Sequence, residues 1–276
     1  MLQRAARALV IFVALWNVAP GPARGAPPPD LASALADATA GLVGTVSVVV
    51  IDLREGYRYE QGAAEKLEAA SLFKLFVMAA VYRRADADAA IFGDAIPVVR
   101  PRVVAGRIEF AAEPESVSAA LEEMIDRSDN GATAALVDLV GTDEVNATIA
   151  ELGLRDSVVF SGEATGNTTS ARDVARFFEL LAGRQLVSAQ ASDAMTWLLL
   201  HQEINDRLSL GMPPDALFAH KTGNSVGTLH DAGIAWTPWG ERIVVVLTDG
   251  ADPTDARALM ADVGRWSYSL PVPEAR

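Results

Sequence analysis

The chain has 276 residues, half of them apolar, with a formal net charge of −13 and no cysteine. The lack of cysteine excludes disulfides, a thiolate metal site and a lipid anchor attached through cysteine. The acidic charge disfavours binding to nucleic acid or to anionic membranes, and solubility is its simplest explanation.

The first 25 residues have the pattern of a signal peptide. Two arginines precede an apolar run over residues 8–19, which is too short to span a bilayer as a mature helix. Ala23 and Gly25 then occupy the two positions that signal peptidase reads. We expect residues 1–25 to be removed before Ala26 and the protein to be periplasmic or secreted. An uncleaved N-terminal anchor is the alternative.

Residues 26–276 contain no linker and are long enough for one large core, which predicts a single domain. A helix of about eleven residues is expected from Asp30, with its side chain as the N-cap. Two strands follow, Gly44–Leu53 and Tyr57–Ala63.

The run Ser71–Arg84 is apolar almost all round, which predicts a buried central helix. The middle of the chain is then expected to stay helical, with Ser116, Ser170 and Ser188 as N-caps. Its predicted helices are Val117–Ile125, Gly131–Val140, one from Thr142, Ser170–Leu181 and Ser188–Leu200. The end of the chain predicts an antiparallel meander and a closing helix: Ala216–Thr222, His230–Thr237, Arg242–Thr248 and Asp252–Trp266.

This order predicts an α/β (α+β) fold, with an antiparallel sheet flanked by helices and an inserted all-helical lobe. The first strands can pair with the last ones only if the chain returns to its starting sheet. Residues 26–68 with 215–276 would then form the α/β lobe, and residues 69–214 the helical lobe. The cleft between them is where chemistry is expected.

Three short polar motifs border that expected cleft: Ser-Leu-Phe-Lys at 71–74, Ser-Asp-Asn at 128–130 and Lys-Thr-Gly at 221–223. Each is weak alone, since a Ser-x-x-Lys arises by chance about once in a chain of this length. All three in this order are expected in fewer than about one chain in a thousand. Together they indicate a serine nucleophile and its proton-transfer groups.

A serine hydroxyl is a poor nucleophile until a base takes its proton. Residues three apart on a helix share a face, so Lys74 can reach Ser71, and burial would lower the lysine pKa. A hydroxyl at Ser128 can relay a proton to the leaving group, while the Asn130 amide can hold substrate and lysine. The simpler interpretations are a helix N-cap at Ser71 with Lys74 in solvent, and a helix cap at Asp129 or Asn130.

In the third motif Lys221 would add positive charge near the relay serine, and Thr222 would offer a donor to a substrate carboxylate. Gly223 would let substrate approach the strand edge. The alternative is an ordinary exposed strand with a solvated lysine. His220 and His230 could meet across adjacent strands, but they lack paired spacing for zinc, and we expect no metal and no cofactor.

The three motifs resemble the serine active site of class A β-lactamases and penicillin-binding proteins. The resemblance covers roughly residues 30–266 and includes the context of Ser71, Arg-Asp-Val-Ala-Arg at 172–176 and Gly-Met-Pro at 211–213. It implies a β-lactamase/transpeptidase-like fold and a small β-lactam or peptidoglycan-like substrate. We also expect a monomer without stable membrane insertion.

By this resemblance Ser71 is the acylated nucleophile, and the backbone N–H groups of Ser71 and Asn224 form the oxyanion hole. Arg207 lies where some members keep an arginine that helps to bind the substrate carboxylate. Glu163-Ala-Thr-Gly-Asn167 lies near the place of the family's deacylation motif, which would make Glu163 the base that directs water and Asn167 a substrate-binding residue. The usual proline and leucine are absent, however, and the loop is shorter by about ten residues, so the alternative is that Glu163 is a solvated loop acid without a catalytic role.

Three functions stay open at this point. The first is a β-lactamase, and the second is a penicillin-binding D-Ala-D-Ala peptidase or esterase with poor β-lactam deacylation. The third is a non-catalytic β-lactam- or peptidoglycan-binding module. Turnover separates the first from the second, and covalent labelling of Ser71 separates both from the third.

Overall fold

The computed structural model describes residues 29–160 and 166–270, and its centre is a five-stranded antiparallel sheet. In chain order the strands are β1 (Thr45–Asp52), β2 (Tyr57–Gln61), β3 (Leu67–Glu68), β4 (Ala95–Val104), β5 (Arg107–Ser116), β6 (Thr168–Thr169), β7 (Phe218–Ser225), β8 (Thr228–Thr237) and β9 (Gly240–Asp249). The helices are α1 (Pro29–Thr39), α2 (Phe73–Ala87), α3 (Val117–Asp126), α4 (Asn130–Val140), α5 (Thr142–Glu151), α6 (Ala171–Ala182), α7 (Ala189–Leu199) and α8 (Pro253–Ser269).

The chain returns to its starting sheet, as predicted. The strand order of the large sheet is β2–β1–β9–β8–β7, so the first strands lie beside the last ones and β7 forms an edge. Helices cover both faces of this sheet, which is why residues 48–51 of β1 form a continuous apolar run rather than an alternating pattern. Val49 and Ile51 of β1 pack into the core with α2 and α6, and Val48 and Val50 pack into a second core with α1 and α8.

Helix α2 is the buried central helix that the sequence predicts, and residues 73–81 are fully buried. It follows a short 3₁₀ turn over Ala70–Leu72. The three predicted serine N-caps are confirmed, because Ser116, Ser170 and Ser188 each accept a hydrogen bond at 3.2 Å from a backbone N–H three residues on. Caps are predictable because they depend on local sequence.

The prediction that the whole middle segment is helical is wrong. Strands β4 and β5 pair over ten residues each to form a two-stranded ribbon, and β3 pairs with β6. The ribbon turns at Ala105 and Gly106, whose φ angles of 50° and 78° are those of a type I′ hairpin turn. The fold class stands, but the inserted segment is not all-helical.

Three sequence predictions lie outside the described residues: the signal peptide at residues 1–25, the side chain of Asp30 and Glu163. Within the described ranges, no helix combines the length and the apolar character that a membrane crossing requires. The boundaries of the two lobes stay predictions.

Candidate active site

Ser71 lies in the 3₁₀ turn that leads into α2. The residue before it, Ala70, has a φ of 42°, in the left-handed region that residues with a side chain seldom occupy. Neither this turn nor α2 begins with a side-chain cap, so the N-cap interpretation of Ser71 is wrong. The turn instead carries the serine to the edge of the sheet, where Leu72 packs near Gly223.

Lys74 is completely buried, which also overturns the alternative of a solvated lysine. Its Nζ donates hydrogen bonds to the Ser128 carbonyl oxygen (2.6 Å), to Ser128 Oγ (3.1 Å) and to Asn130 Oδ1 (2.8 Å). Burial lowers the pKa of Lys74 to about 8, although the nearby Asp129 carboxylate opposes that shift. A lysine of this kind is available as a base near neutral pH.

Lys221 is the second buried lysine of the site, and no part of its side chain is exposed. Its Nζ donates to Ser128 Oγ at 3.0 Å and to the Thr222 carbonyl oxygen at 3.0 Å. Burial lowers the pKa of Lys221 well below its ordinary value, and the charges of Lys74 and Arg207 lower it further. The Ser128 hydroxyl therefore lies between two lysine ammonium groups, one from each part of the fold.

In the loop that carries Ser128, one residue caps a helix and its two neighbours contact Lys74, as the sequence predicts. Asp129 caps α4, because its Oδ1 accepts a hydrogen bond at 2.7 Å from the Ala132 N–H. Ser128 adopts a left-handed φ of 58°, and both its own oxygens and Asn130 bind Lys74. The capping residue Asp129 therefore lies between Ser128 and Asn130, which both contact Lys74.

The tight packing around position 223 explains why a glycine is present there, which the sequence did not indicate. A Cβ at this position would lie 3.1 Å from the Cδ2 atom of His230 and 3.3 Å from the Cγ atom of Leu72. Both contacts are inside the protein rather than in the cleft. The glycine thus lets the edge strand β7 lie close to the turn that carries Ser71.

Arg207 and Asn224, both predicted from the family pattern, contact one another. The buried Arg207 guanidinium donates to the His230 carbonyl oxygen at 3.0 Å and to Asn224 Oδ1 at 3.4 Å. Asp206 pairs with Arg207 Nε at 3.3 Å. These contacts fix a positive charge behind the outer end of β7, next to Thr222 along the strand.

His230 is a site residue that sequence reasoning missed. Its Nδ1 accepts the Thr248 N–H at 3.2 Å, so its Nε2 carries the proton and donates to the Glu68 carbonyl oxygen at 2.8 Å. Burial lowers the pKa of His230, which keeps the ring neutral. Because Glu68 is three residues before Ser71, this ring ties the nucleophile segment to the sheet.

His220 and Asp231 form a second unpredicted pair, on the opposite face of the sheet. His220 Nδ1 lies 2.8 Å from Asp231 Oδ1, and Asp231 Oδ2 accepts the Leu208 N–H at 3.1 Å, directly after Arg207. The register pairs His230 with Gly223 rather than with His220, and alternate residues of a strand point to opposite faces. The expectation that His220 and His230 could meet is therefore wrong.

Glu163 lies outside the described residues, but the segment that follows it is defined. The Asn167 carbonyl oxygen accepts the Ala69 N–H at 2.7 Å, and β6 pairs Thr168 with Glu68. Asn167 is fully buried, and its side-chain oxygen accepts the Phe160 N–H at 2.8 Å. Asn167 thus connects Phe160 with the nucleophile segment, and its role in substrate binding stays a prediction.

Comparisons with known proteins agree with this geometry. A family model described as "Beta-lactamase enzyme family" matches residues 30–269. A β-lactamase of Streptomyces fradiae is 30% identical over 225 residues, which cover 74% of each chain. A β-lactamase of Streptomyces lavendulae is 27% identical over 232 residues, covering 77% of this chain and 76% of the relative.

Solved structures are similar over most of the chain. A β-lactamase from Sphaerobacter thermophilus DSM 20745 has a TM-score of 0.76 at 28% identity and covers 85% of this chain and 94% of its own. The structure of PBP-A has a TM-score of 0.81 at 23% identity and covers 91% and 98% respectively. At that identity the second likeness concerns the fold alone.

Proposed function

The chain belongs to the β-lactamase enzyme family, and from this premise we propose that it is a class A-like serine hydrolase that opens β-lactam amides through an acyl-enzyme on Ser71. The observation that carries the proposal is the position of Ser128 Oγ, 3.1 Å from the Lys74 nitrogen and 3.0 Å from the Lys221 nitrogen. Two buried lysines around one hydroxyl form a path for a proton. Such a path is needed where a serine is acylated and an amide nitrogen leaves.

In the proposed acylation step, neutral Lys74 takes the proton of the Ser71 hydroxyl as its oxygen attacks the lactam carbonyl carbon. The carbon–nitrogen bond of the lactam then breaks. Ser128 gives its proton to the departing nitrogen and regains one from the lysine pair. By the family pattern, the backbone N–H groups of Ser71 and Asn224 hold the negative oxygen, and each such donor contributes about 3–4 kcal/mol to the transition state.

The substrate carboxylate is proposed to lie between Thr222 and the positive charges of Lys221 and Arg207. A protein with a net charge of −13 would otherwise repel an anion, so a local positive region is needed to bind one. Arg207 supports this role through its fixed contact with Asn224.

Deacylation is proposed to depend on Glu163, which would direct water at the acyl-enzyme. The proposal is supported by the hydrogen bond from the Ala69 N–H to the Asn167 carbonyl oxygen, which holds the chain four residues after Glu163 close to Ser71. Replacing Glu163 with Gln should trap the acyl-enzyme, because an amide cannot take a proton from water. An unchanged hydrolysis rate in that variant would remove Glu163 from the mechanism.

The experiment that tests the proposal is intact-protein mass spectrometry of the exported protein mixed with excess penicillin, followed from seconds to hours. An adduct that forms and clears while hydrolysed drug accumulates supports a β-lactamase, and Ser71→Ala should form no adduct. An adduct that persists would indicate a penicillin-binding hydrolase without deacylation. A wild-type protein that forms no adduct and hydrolyses no drug would overturn the proposal.

We also propose that the protein is exported as a monomer after cleavage between Gly25 and Ala26. The basis is the apolar run and the small residues before the cleavage position. Mass spectrometry of the protein recovered from periplasm or medium tests it. An intact mass equal to that of the full chain from Met1 would support the uncleaved anchor instead.

A further inference from the structure

The ribbon of β4 and β5 has one face without a single charged side chain. The register pairs Pro97 with Pro114, Val99 with Ala112, Pro101 with Phe110 and Val103 with Ile108, and paired residues share a face. All eight of these side chains are exposed. At the outer end, Val103, Ile108 and Phe110 are 78%, 70% and 73% exposed, which is unusual for three neighbouring apolar side chains.

The opposite face of the same ribbon carries its charges. Ile96 and Val98 are buried in the core at its base, and beyond them Arg100 pairs with Glu115 and Arg102 with Glu113. A surface ribbon normally turns its apolar face inward and its polar face to water. This ribbon does the reverse over most of its length, which indicates that the apolar face meets something other than water.

Strand addition is not the way in which that face is used. Paired residues of an antiparallel ribbon alternate between hydrogen-bonded and non-bonded positions, so the N–H groups missing at Pro97, Pro101 and Pro114 belong to its outer edges. Proline at an edge removes the donor that an incoming strand needs. One of these edges is also covered, because the Val99 carbonyl oxygen packs against Gly131 at the start of α4. A partner must therefore contact the face.

We propose that this face is a docking surface for the acyl region of a lipid membrane. An uncharged surface of valine, isoleucine, phenylalanine and proline matches hydrocarbon, which offers no partners for charged groups. Arg107 is exposed at the same outer end, where its long side chain can extend to the headgroup level. The proposed export would bring the ribbon to the outer surface of a membrane.

A second copy of the chain fits this face less well. Ten residues of strand extend over about 33 Å and two strands cover a width of about 10 Å, so the face measures roughly 300 Å². Two such faces packed together would bury on the order of 600 Å², about half of what a stable protein interface buries. A lipid surface has no such minimum area.

The charge of the protein specifies the kind of lipid surface. Without the three arginines of residues 1–25 the exported chain has 20 basic and 36 acidic residues, and its net charge of −16 repels anionic headgroups over about a Debye length. Docking is therefore expected on zwitterionic lipid and weakened by anionic lipid. It would hold the ribbon, and with it the adjoining loop of Ser128 and Asn130, next to the membrane.

The test is co-sedimentation of the exported protein with phosphatidylcholine vesicles, with and without one third phosphatidylglycerol. The wild type should bind phosphatidylcholine, and the Ile108→Ser/Phe110→Ser double variant should bind at least about ten-fold more weakly. Val43→Ser/Leu217→Ser is the matched control, since Val43 and Leu217 are also exposed but lie outside the ribbon. It should bind like the wild type, and phosphatidylglycerol should weaken binding in a salt-reversible way.

Thermal unfolding by circular dichroism confirms that each variant is folded, so that a loss of binding is not a loss of structure. The proposal is overturned if the wild type stays in the supernatant at the highest vesicle concentration, or if the ribbon variant binds as well as the control. It is also overturned if the wild type forms a concentration-dependent dimer without lipid that the ribbon substitutions abolish, which would assign the face to a second copy.

Discussion

The residues around Ser128 show how burial prepares a lysine for chemistry. Lys74 and Lys221 come from different elements, and both direct their ammonium groups at one hydroxyl in an interior where charge is costly. Two like charges so close oppose one another, which lowers the pKa of Lys221 beyond the effect of its burial. Burial thus lowers the pKa of both lysines, so that a lysine of the pair gives up its proton, and can then accept one, more readily than a lysine in water.

The rate at which Ser71 is acylated should depend on pH, because Lys74 must be neutral to act as the base. Only neutral Lys74 accepts a proton, and the neutral fraction falls about ten-fold for each pH unit below the pKa. The second-order rate of penicillin labelling should therefore rise with pH and level off above about 8, the pKa of Lys74. Stopped-flow or quenched mass spectrometry between pH 5 and 10 measures it.

The control for this prediction is Lys74→Arg, whose guanidinium stays charged at every accessible pH. That variant should label slowly across the range, with no rise near pH 8. A wild-type labelling rate that is flat from pH 6 to pH 9 would show that Lys74 is not the titrating base.

The family resemblance predicted that the motif residues would meet, and Lys74 and Lys221 do contact Ser128 although they lie 54 and 93 residues from it along the chain. Their supports could not be predicted. His230 contacts Glu68, 162 residues away along the chain, and that contact exists only in the register that pairs Gly223 with His230. Nothing in the spacing of single residues specifies a strand register, so neither His230 nor Asp231 could be predicted as a site residue from the sequence.

At the scale of elements, a helix or strand could be predicted when its apolar residues faced the core. The helices were predicted from their caps and apolar faces, and strands β1 and β9 from their runs of valine. Strands β4 and β5 were missed because their prolines and arginines resemble a loop, and because their apolar residues face outward rather than into a core. Prediction from sequence assumes that the apolar residues of a strand are buried, and in this ribbon most of them are exposed.

Helix α4 couples stability to the site through its cap, which leads to a second prediction. Asp129→Ala should lower the free energy of unfolding by about 1 kcal/mol, the typical value of an N-cap, because the Ala132 N–H loses its acceptor. It should also slow the labelling of Ser71 at pH 9 and above, where Lys74 is mostly neutral with or without the Asp129 charge, because the cap fixes Ser128 and Asn130 at Lys74. Urea unfolding and penicillin labelling of the same samples measure the two effects.

Ser188→Ala supplies the comparison, because Ser188 caps α7 with the same geometry but holds no residue of the site. It should lose a similar amount of stability and keep the wild-type labelling rate. Asp129→Asn, which keeps a capping oxygen, should recover most of both losses. Equal labelling by the Asp129→Ala and Ser188→Ala variants would separate the cap from the chemistry.

At the scale of the whole molecule, the site exists only because the chain closes on itself. Ser71, Lys74 and Ser128 belong to the segment between β2 and β7, whereas Lys221 belongs to the strand that returns to the starting sheet. The residues of the site thus lie up to 150 positions apart and are brought together by the pairing of β1 with β9. Interactions that stabilise the pairing of β1 with β9 therefore also keep the two lysines next to Ser128.

The buried ion pair between Asp52 and Arg242 is placed to do this, at the end of the β1–β9 pairing. Arg242 Nε donates to Asp52 Oδ2 at 2.8 Å, and Arg242 Nη1 donates to the Ser267 carbonyl oxygen at 2.6 Å, which ties the sheet to α8. Arg242→Met would leave the Asp52 carboxylate buried without its charge partner. We expect a loss of about 3–5 kcal/mol in the free energy of unfolding, the usual cost of breaking such a pair from one side.

Urea titrations of wild type and Arg242→Met, followed by circular dichroism and by penicillin labelling of Ser71, measure this loss. Because the site needs the closed sheet, both probes should report the same transition, shifted to lower urea in the variant. The Asp52→Asn/Arg242→Met double variant should recover part of the loss, since it no longer buries an unpaired charge. A variant whose labelling disappears well before its circular dichroism changes would mean that the site opens locally, and that closure of the sheet alone does not hold the two lysines at Ser128.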